Sequence, residues 1–403
     1  MDDSNLDLRG AIRLTARDAI ASQITSHPQK RITFAEFMNL ALYHPEQGYY
    51  STNQVNIGSQ GDFFTSPHLG ADFGELLARQ FCQMWEIMGC PVPFNLVEMG
   101  AGQGILAGDV LRYLHEHHFE FFSALNYIIV EKSSALRLEQ QQRLSNFPLR
   151  WCEWEEIPAN SLVGCCFSNE LIDAFPVHQV IWKQGELKEV YVGLGTQGEF
   201  VEIVGEVSTN RLFEYFDFLG IDFGKNAYPE GYRTEVNLLA LDWLSIISEK
   251  IQRGYLLTID YGYPAHRYYS LGRDRGTLQC YYRHSHHNDP YINIGRQDIT
   301  AHVNFTSLEK WGELCGLRWL GFTQQGLFLM ALGLGDRISA ISDSNAENYQ
   351  DIQKVLQRRD ALHQMISPMG LGGFGVLLQC RGLREEEVAQ PLQGFTIPKR
   401  QFF

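Results

Sequence analysis

Apolar residues along this chain change their spacing near residue 90, and the change divides it. Before that point they recur every three or four positions, which predicts helices over residues 8–24, from Thr33 onward and over 73–88. Thr33-Phe34-Ala35-Glu36 forms a capping box, in which the hydroxyl takes the third-residue N–H and Glu36 reaches back. Pro45 then stops that helix. From Phe94 the pattern becomes short apolar runs alternating with amphipathic stretches: strands over 95–98, 127–131, 149–154, 163–168 and 255–260, helices over 105–117, 134–144 and 237–253. Apolar strands alternating with helices predict a parallel sheet covered on both faces. Two stretches interrupt this order. Residues 177–207 alternate like a β-meander, whereas 263–298 are polar, rich in Tyr, His and Gly, and read as a long ordered loop. After Asn304 come a helix and two strands, 318–332 and 374–380, suited to an antiparallel hairpin that closes the sheet. The expected organisation is a helical extension (1–92), an α/β core (93–385) with insertions near 177–235 and 263–304, and a loosely held tail (386–403).

With 403 residues, the chain fits two lobes or one large α/β domain with insertions, at roughly 100–200 residues per domain. Apolar residues at 44% and charged residues at 20% support a sizeable core. No window nears the ~20 apolar residues of a membrane helix, so membrane insertion is not expected. The acidic start Met1-Asp2-Asp3-Ser4 argues against a secretory signal or an Arg-rich transit peptide, giving a cytoplasmic expectation. A net charge of −14 without clustered Lys and Arg excludes a nucleic-acid-binding surface. The eight cysteines form no C-x-x-C pair and read as reduced structural residues. Oligomeric state stays open, a homodimer included.

The sharpest chemical signal is Glu98-Met99-Gly100-Ala101-Gly102-Gln103-Gly104, between a strand and a helix. Gly100, Gly102 and Gly104 permit a tight turn and close approach of backbone to a ligand, and the helix start offers free N–H groups. The spacing is G-x-G-x-G and not the G-x-G-x-x-G of dinucleotide folds, since residue 105 is Ile. Glu98 would repel a pyrophosphate but suits a cationic ligand; S-adenosyl-L-methionine (SAM) carries an ammonium and a sulfonium. Glu131, at the end of the next strand, is placed to accept ribose hydroxyls, a feature that NAD and SAM sites share. Beyond the fourth strand, Ser168-Asn169-Glu170-Leu171-Ile172-Asp173 would face the reactive end of such a ligand. Asn169 offers an acceptor, and Glu170 and Asp173 can align a basic nucleophile or take its proton; the plainer reading is a helix cap with acids favouring its dipole. His284, His286 and His287 lack a carboxylate or Cys at ligand spacing, so no metal site is expected.

Six segments, in order over roughly residues 30–330, now resemble the MidA family of SAM-dependent methyltransferases. They are Leu42-Tyr43-His44-Pro45 with Gly48-Tyr49-Tyr50, the run from Gly61-Asp62 through Thr65-Ser66-Pro67 with Phe73-Gly74-Glu75, the Glu98–Gly104 loop, Asn169-Glu170 with Asp173-Ala174, Asp260-Tyr261-Gly262, and Asp298-Ile299-Thr300-Ala301-His302-Val303. The resemblance implies a class I methyltransferase core, a Rossmann-like seven-strand sheet that is mostly parallel with an antiparallel closing hairpin, plus a helical extension and insertions. It also implies methylation of an arginine on a protein, such as a respiratory complex I/NDH-1 type subunit. Two positions depart from the family pattern: His68 stands where a Glu is common and Asn304 where an Asp is, each expected to remove a carboxylate near the substrate cleft. Read physically, Asp62, Thr65 and Ser66 lie on a turn able to close over the cofactor, or on a plain capped turn. Tyr261 is a candidate pocket wall, and His302 a candidate base or a structural histidine. Two rival readings are a non-catalytic assembly factor that keeps a SAM pocket and an NAD-dependent oxidoreductase, the latter opposed by Glu98 and the glycine spacing.

Overall fold

The four inner parallel strands of the central sheet come from apolar runs that bury both faces. In the computed structural model, which describes residues 14–51, 65–225, 228–283, 285–342 and 349–396, the sheet's strands are β1 (Phe94–Met99), β2 (Leu125–Val130), β3 (Leu149–Trp151), β4 (Leu162–Asn169), β5 (Ile251–Asp260), β6 (Arg318–Gln324) and β7 (Gly375–Arg381). Their order is β3-β2-β1-β4-β5-β7-β6. β1 to β5 run parallel, and β7 is antiparallel to both β5 and β6. Alternate side chains feed two cores. Leu96, Ile129, Phe167 and Leu257 join the helix over Asp72–Ile87 on one face, while Val97, Ile128, Cys166 and Leu256 join the helix over Leu238–Lys250 on the other. This is the period-two pattern of a sheet sandwiched between helical layers.

The antiparallel closing pair is present, but its strands are not joined by a tight turn. The expected strand over 318–332 ends at Gln324, and helices over Gln325–Ala331, Leu334–Ser342 and Tyr349–Ile366 lead to β7. The apolar run Leu327-Phe328-Leu329-Met330 fits either period, and burial of Phe328 and Leu329 between exposed Leu327 and Met330 shows that the helical one wins.

Both insertions join the N-terminal extension. Residues 177–207 form the expected meander, His178–Lys183, Glu186–Leu194 and Phe200–Gly205, and Arg31–Thr33 pairs with its middle strand. The segment read as a long loop also contains structure: a short helix, Ala265–Tyr268, and a three-stranded antiparallel sheet of Gln279–Tyr282, Ser285–His287 and Asp298–Thr300. Its strands are only three or four residues long, too short for polar alternation to stand out. Phe34, Phe37, Val192, Cys280 and Ile299 pack into one apolar cluster drawn from all three segments. This layer is tied to the core beyond the carboxyl ends of β4 and β5, where Ala301 N donates to Asp173 O (2.9 Å), Val303 N to Tyr261 O (2.9 Å) and the Tyr43 hydroxyl to Ala174 O (2.9 Å).

The tail is docked through residue 396, contrary to the expected loose end. Gln393 N donates to Gln83 Oε1 (2.8 Å), Gly394 N to Gln80 Oε1 (2.9 Å), and Phe395 packs on Phe328. Upstream, Glu387 is buried between Arg253 and Arg384, which hold its carboxylate well below the usual range despite burial.

Candidate active site

Two adjoining cavities open beyond the carboxyl ends of β1, β4 and β5, where parallel α/β sheets bind ligands. The first, about 260 Å³, is lined by Glu98, the glycine loop, Glu131, Lys132, Thr65, His68, Asn169 and Glu170. The second, about 800 Å³, is lined by Glu170, Asp173, Tyr261, Tyr281, Asp298 and His302 among others. Glu170 and Tyr50 line both, so the two spaces meet there.

The glycine loop needs its glycines. Gly100, Gly102 and Gly104 have φ of 68°, 52° and 75°, a region costing other L-residues about 1–2 kcal/mol each. A Cβ on Gly100 would stand 2.6 Å from Leu171 Cδ1. The loop is pinned from outside, since Gln140 Nε2 donates to both Gly102 O (2.7 Å) and Glu131 Oε2 (3.0 Å), while Gln140 Oε1 accepts from Trp151 Nε1 (2.9 Å). Glu131 Oε1 also accepts from Ser133 N (2.8 Å), which fixes the carboxylate at the start of the next helix. Burial pushes Glu131 above its ordinary range against these two donors. Glu98, 3% exposed, accepts from the Tyr127 hydroxyl (2.6 Å), and burial pushes it up to about 7. Two buried acids facing one cavity create a demand for positive charge and hydroxyl donors. The residues therefore fit SAM: Glu131 for ribose hydroxyls, Glu98 and the glycine loop for the charged amino-acid end.

Aromatic residues of the N-terminal extension wall this cavity. Tyr43 and Tyr50 stack (5.4 Å between centroids), Lys132 lies 5.0 Å over the Tyr43 ring, and Ser133 Oγ donates to Tyr50 O (2.7 Å). These Tyr residues stood within the family segments but had been given no role; nothing in local spacing shows that a distant turn will reach a strand end. His68 enters the sequence reading only as a departure near the substrate cleft, and Gln103 and Gln140 have no role in it. Thr65 lines the cavity and pairs with His68. Ser66 does not face it, in departure from the expected cofactor role: fully buried, its Oγ accepts from Gln325 Nε2 (2.9 Å) and its amide reaches Glu170. Asp62 lies outside the described residues, as does His284.

At the junction, Glu170 has φ of 51°, a left-handed conformation that a non-glycine residue adopts at a cost. Its Oε1 accepts from Ser66 N (3.3 Å) and Asn169 Nδ2 (3.2 Å), and the residue lines both cavities. Burial, then the charge of Asp173, pushes Glu170 up to about 8; burial pushes Asp173 up to about 6. Among the described residues no donor reaches the buried Asp173 Oδ1 or Asn169 Oδ1. The loop is held from below by Asp260, whose carboxylate accepts the amides of Ile172 (2.9 Å), Asp173 (3.3 Å) and Tyr261 (2.8 Å). Asp260 had been noted only as part of a segment.

His302 belongs to the second cavity and not to the cofactor side. It stacks on Tyr263 (5.2 Å, 8°) and meets Tyr261 edge-on (4.9 Å), and burial lowers it to about 4, so it is a neutral ring. Tyr261 walls the same space, and Tyr50 donates to Asp298 Oδ1 (2.8 Å) at its edge. Asn304 does not line it. That side chain caps the Phe305–Leu314 helix and donates to the Tyr215 hydroxyl (3.0 Å), so the departure there takes no carboxylate from the cavity. His68, the other departure, lines the first cavity.

Comparison with known proteins points the same way. A family model for S-adenosyl-L-methionine-dependent methyltransferases, Methyltransf_28, matches residues 76–323. Over 333 residues the chain is 29% identical to "Protein arginine methyltransferase NDUFAF7 homolog, mitochondrial" of Drosophila melanogaster, covering 75% of this chain and 71% of that protein. The NDUFAF7 protein arginine methyltransferase of Homo sapiens, also named mitochondrial, is 28% identical over 373 residues, with 82% and 76% covered. A COG1565 superfamily member from Burkholderia thailandensis, solved bound to S-adenosyl-homocysteine, superposes with a TM-score of 0.80 at 29% identity, covering 94% of each chain. Among the described residues no helix is long and apolar enough to cross a membrane.

Proposed function

Because this chain belongs to the Methyltransf_28 family of SAM-dependent methyltransferases, the question left is its acceptor, and we propose that it is an arginine side chain of a protein. The observation that carries this reading is a pair of carboxylates on the second cavity, half-buried Glu170 and buried Asp173, of which Asp173 Oδ1 has no hydrogen-bond partner among the described residues. A guanidinium satisfies both carboxylates at once, since it is a planar cation with five N–H donors. Tyr50, Tyr261 and Tyr281 add aromatic walls suited to a delocalised cation. The names of the relatives, protein arginine methyltransferases, support the same acceptor. The family resemblance narrows it to a subunit of a respiratory complex of the complex I/NDH-1 type.

When bound, SAM supplies an activated methyl group on a sulfonium. The chain's share is orientation and proton handling. Asp173 and Glu170 hold two N–H groups of the guanidinium and fix its plane, so that the third nitrogen is directed through the junction. The charge of the guanidinium draws both carboxyls down from their raised values and makes them anionic. Glu170 then takes the proton that the methylated nitrogen gives up. Asn169 Oδ1, at the mouth of the first cavity, is an acceptor for a cofactor donor.

The test is incubation of the protein with methyl-labelled SAM and cell lysate, followed by mass spectrometry of labelled peptides. Label on arginine, lost in Glu170→Gln while S-adenosyl-homocysteine binding persists, is expected. Label on a lipid, a nucleic acid or a small metabolite, with none on arginine, would overturn the acceptor. Binding with no transfer to any acceptor would favour the non-catalytic assembly factor.

A further inference from the structure

The turn from Thr65 to Leu69 makes contacts in two directions. On one side His68 spans the mouth of the first cavity, its Nε2 3.1 Å from Gln103 Oε1 of the glycine loop and its Nδ1 2.6 Å from Thr65 Oγ1. A carboxamide oxygen only accepts, so Nε2 carries the proton, and in the neutral ring Nδ1 accepts from the Thr65 hydroxyl. Burial lowers His68, which favours that neutral form. On the other side, the Ser66 amide donates to Glu170 Oε1, and Gln325 Nε2 anchors the Ser66 hydroxyl from the core. Pro67 lies between the two sets and removes one soft torsion from the link. Four residues therefore join the glycine loop to the carboxylate at the junction of the cavities.

We propose that this turn is a positioning element that ties the filling of the first cavity by cofactor to the setting of Glu170, with His68 as its cofactor-side grip. A cofactor seated on the glycine loop bears on Gln103, through it on His68, and through the turn on the Ser66 amide. The Glu170 half rests on the reading of that residue given above; the His68 half does not.

The experiment titrates S-adenosyl-homocysteine calorimetrically into wild type, H68A, Q103L, the H68A/Q103L double variant, Q325M and E170Q. In parallel, the pH dependence of tritium transfer from methyl-labelled SAM into heat-treated lysate protein is measured. H68A and Q103L should each weaken S-adenosyl-homocysteine about 3- to 10-fold, and the double variant no more than either alone, because both break one bond. Q325M should keep its affinity within about twofold, since it touches no cofactor contact. Its transfer rate should fall and the acid limb of its pH profile should move to higher pH, because the amide that favours the Glu170 anion is no longer braced. H68A should move that limb the same way. Unchanged affinity in both H68A and Q103L, or additive losses in the double variant, would overturn the grip. A Q325M profile identical to wild type would overturn the link to Glu170. Melting without ligand identifies any variant that fails to fold, and Q103L reads the same bond from the opposite side should H68A do so. If E170Q still transfers methyl groups, the assignment of Glu170 fails while the affinities still decide the grip.

Discussion

The two cavities differ in how the protein satisfies their buried acids. In the first, Glu98 has Tyr127, Glu131 has Ser133 and Gln140, and His68 has Thr65 and Gln103. In the second, the buried Asp173 Oδ1 and His302 Nδ1 have no hydrogen-bond partner among the described residues, and the charge of Asp173 adds to the burial that raises Glu170. A preformed site loses little order on binding and recognises one shape repeatedly. A site with unpartnered buried acids depends on its ligand to relieve a desolvation cost, and so selects for charge. That difference supports the proposal that the first cavity takes the constant cofactor and the second the acceptor.

The hardest way to break this contrast is to remove the shared acid. Glu170→Gln should lower transfer about 10²- to 10⁴-fold, the range for a lost general base, while leaving S-adenosyl-homocysteine affinity nearly intact. In wild type, kcat/KM should rise with pH toward about 8, where Glu170 of the free enzyme loses its proton, and then level. The sign follows from a raised pKa, because below it the free carboxyl is neutral and offers a cation no charge. The Gln variant should lose that limb. A wild-type profile flat from pH 6 to 9 would remove Glu170 from the proton path.

On the cofactor side, Glu131→Ala removes a fixed charged acceptor and leaves Gln140 to hold Gly102 alone. Affinity for S-adenosyl-homocysteine, read by calorimetry, should fall about 10- to 100-fold. At saturating SAM the acceptor's KM should stay near wild type. An effect confined to the acceptor's KM would reverse the assignment of the two cavities.

Asp173→Asn probes the opposite side with a smaller effect, about 10-fold on the acceptor's KM and little on S-adenosyl-homocysteine. It also removes the charge that raises Glu170, so the acid limb of kcat/KM should move to lower pH. Q325M should move the corresponding limb of transfer to higher pH. The opposite directions separate loss of a like charge from loss of a donor.

The same contrast explains what could be read from the sequence. Glu98, the three glycines and Glu131 lie within one βαβ unit, where local spacing fixes geometry, so a linear reading reaches them. β1 to β5 were legible for the same reason. The second cavity draws Tyr50, Glu170, Asp298 and His302 from distant parts of the chain, and Asp260 holds the Glu170 loop from yet another. No period records such a meeting. Ser66 was misread because a turn was known to be there but its facing was not, and Gln325, which sets that facing, lies 259 positions away. The short strands at 279–300 and the helical switch at Gln325 failed for a local reason, since three or four residues carry too little pattern to choose a period.

The smallest effect sharpens the comparison most, because it tests how far the first cavity is preformed. The Tyr127 hydroxyl is the protein donor to Glu98, and it opposes the burial that pushes that carboxyl up to about 7. Tyr127→Phe keeps the ring in the core and deletes only this donor. Glu98 should then rise further and be more protonated at neutral pH, which weakens its attraction for the cationic end of SAM. The affinity for S-adenosyl-homocysteine should fall about 3-fold at pH 7 and recover toward wild type at pH 9, since the ammonium is common to both ligands. A deficit that stays constant across that range would mean that Tyr127 acts by packing alone. Equal binding by the two proteins at every pH would show Glu98 to be anionic without help, and a cavity preformed by the glycine loop more than by charge.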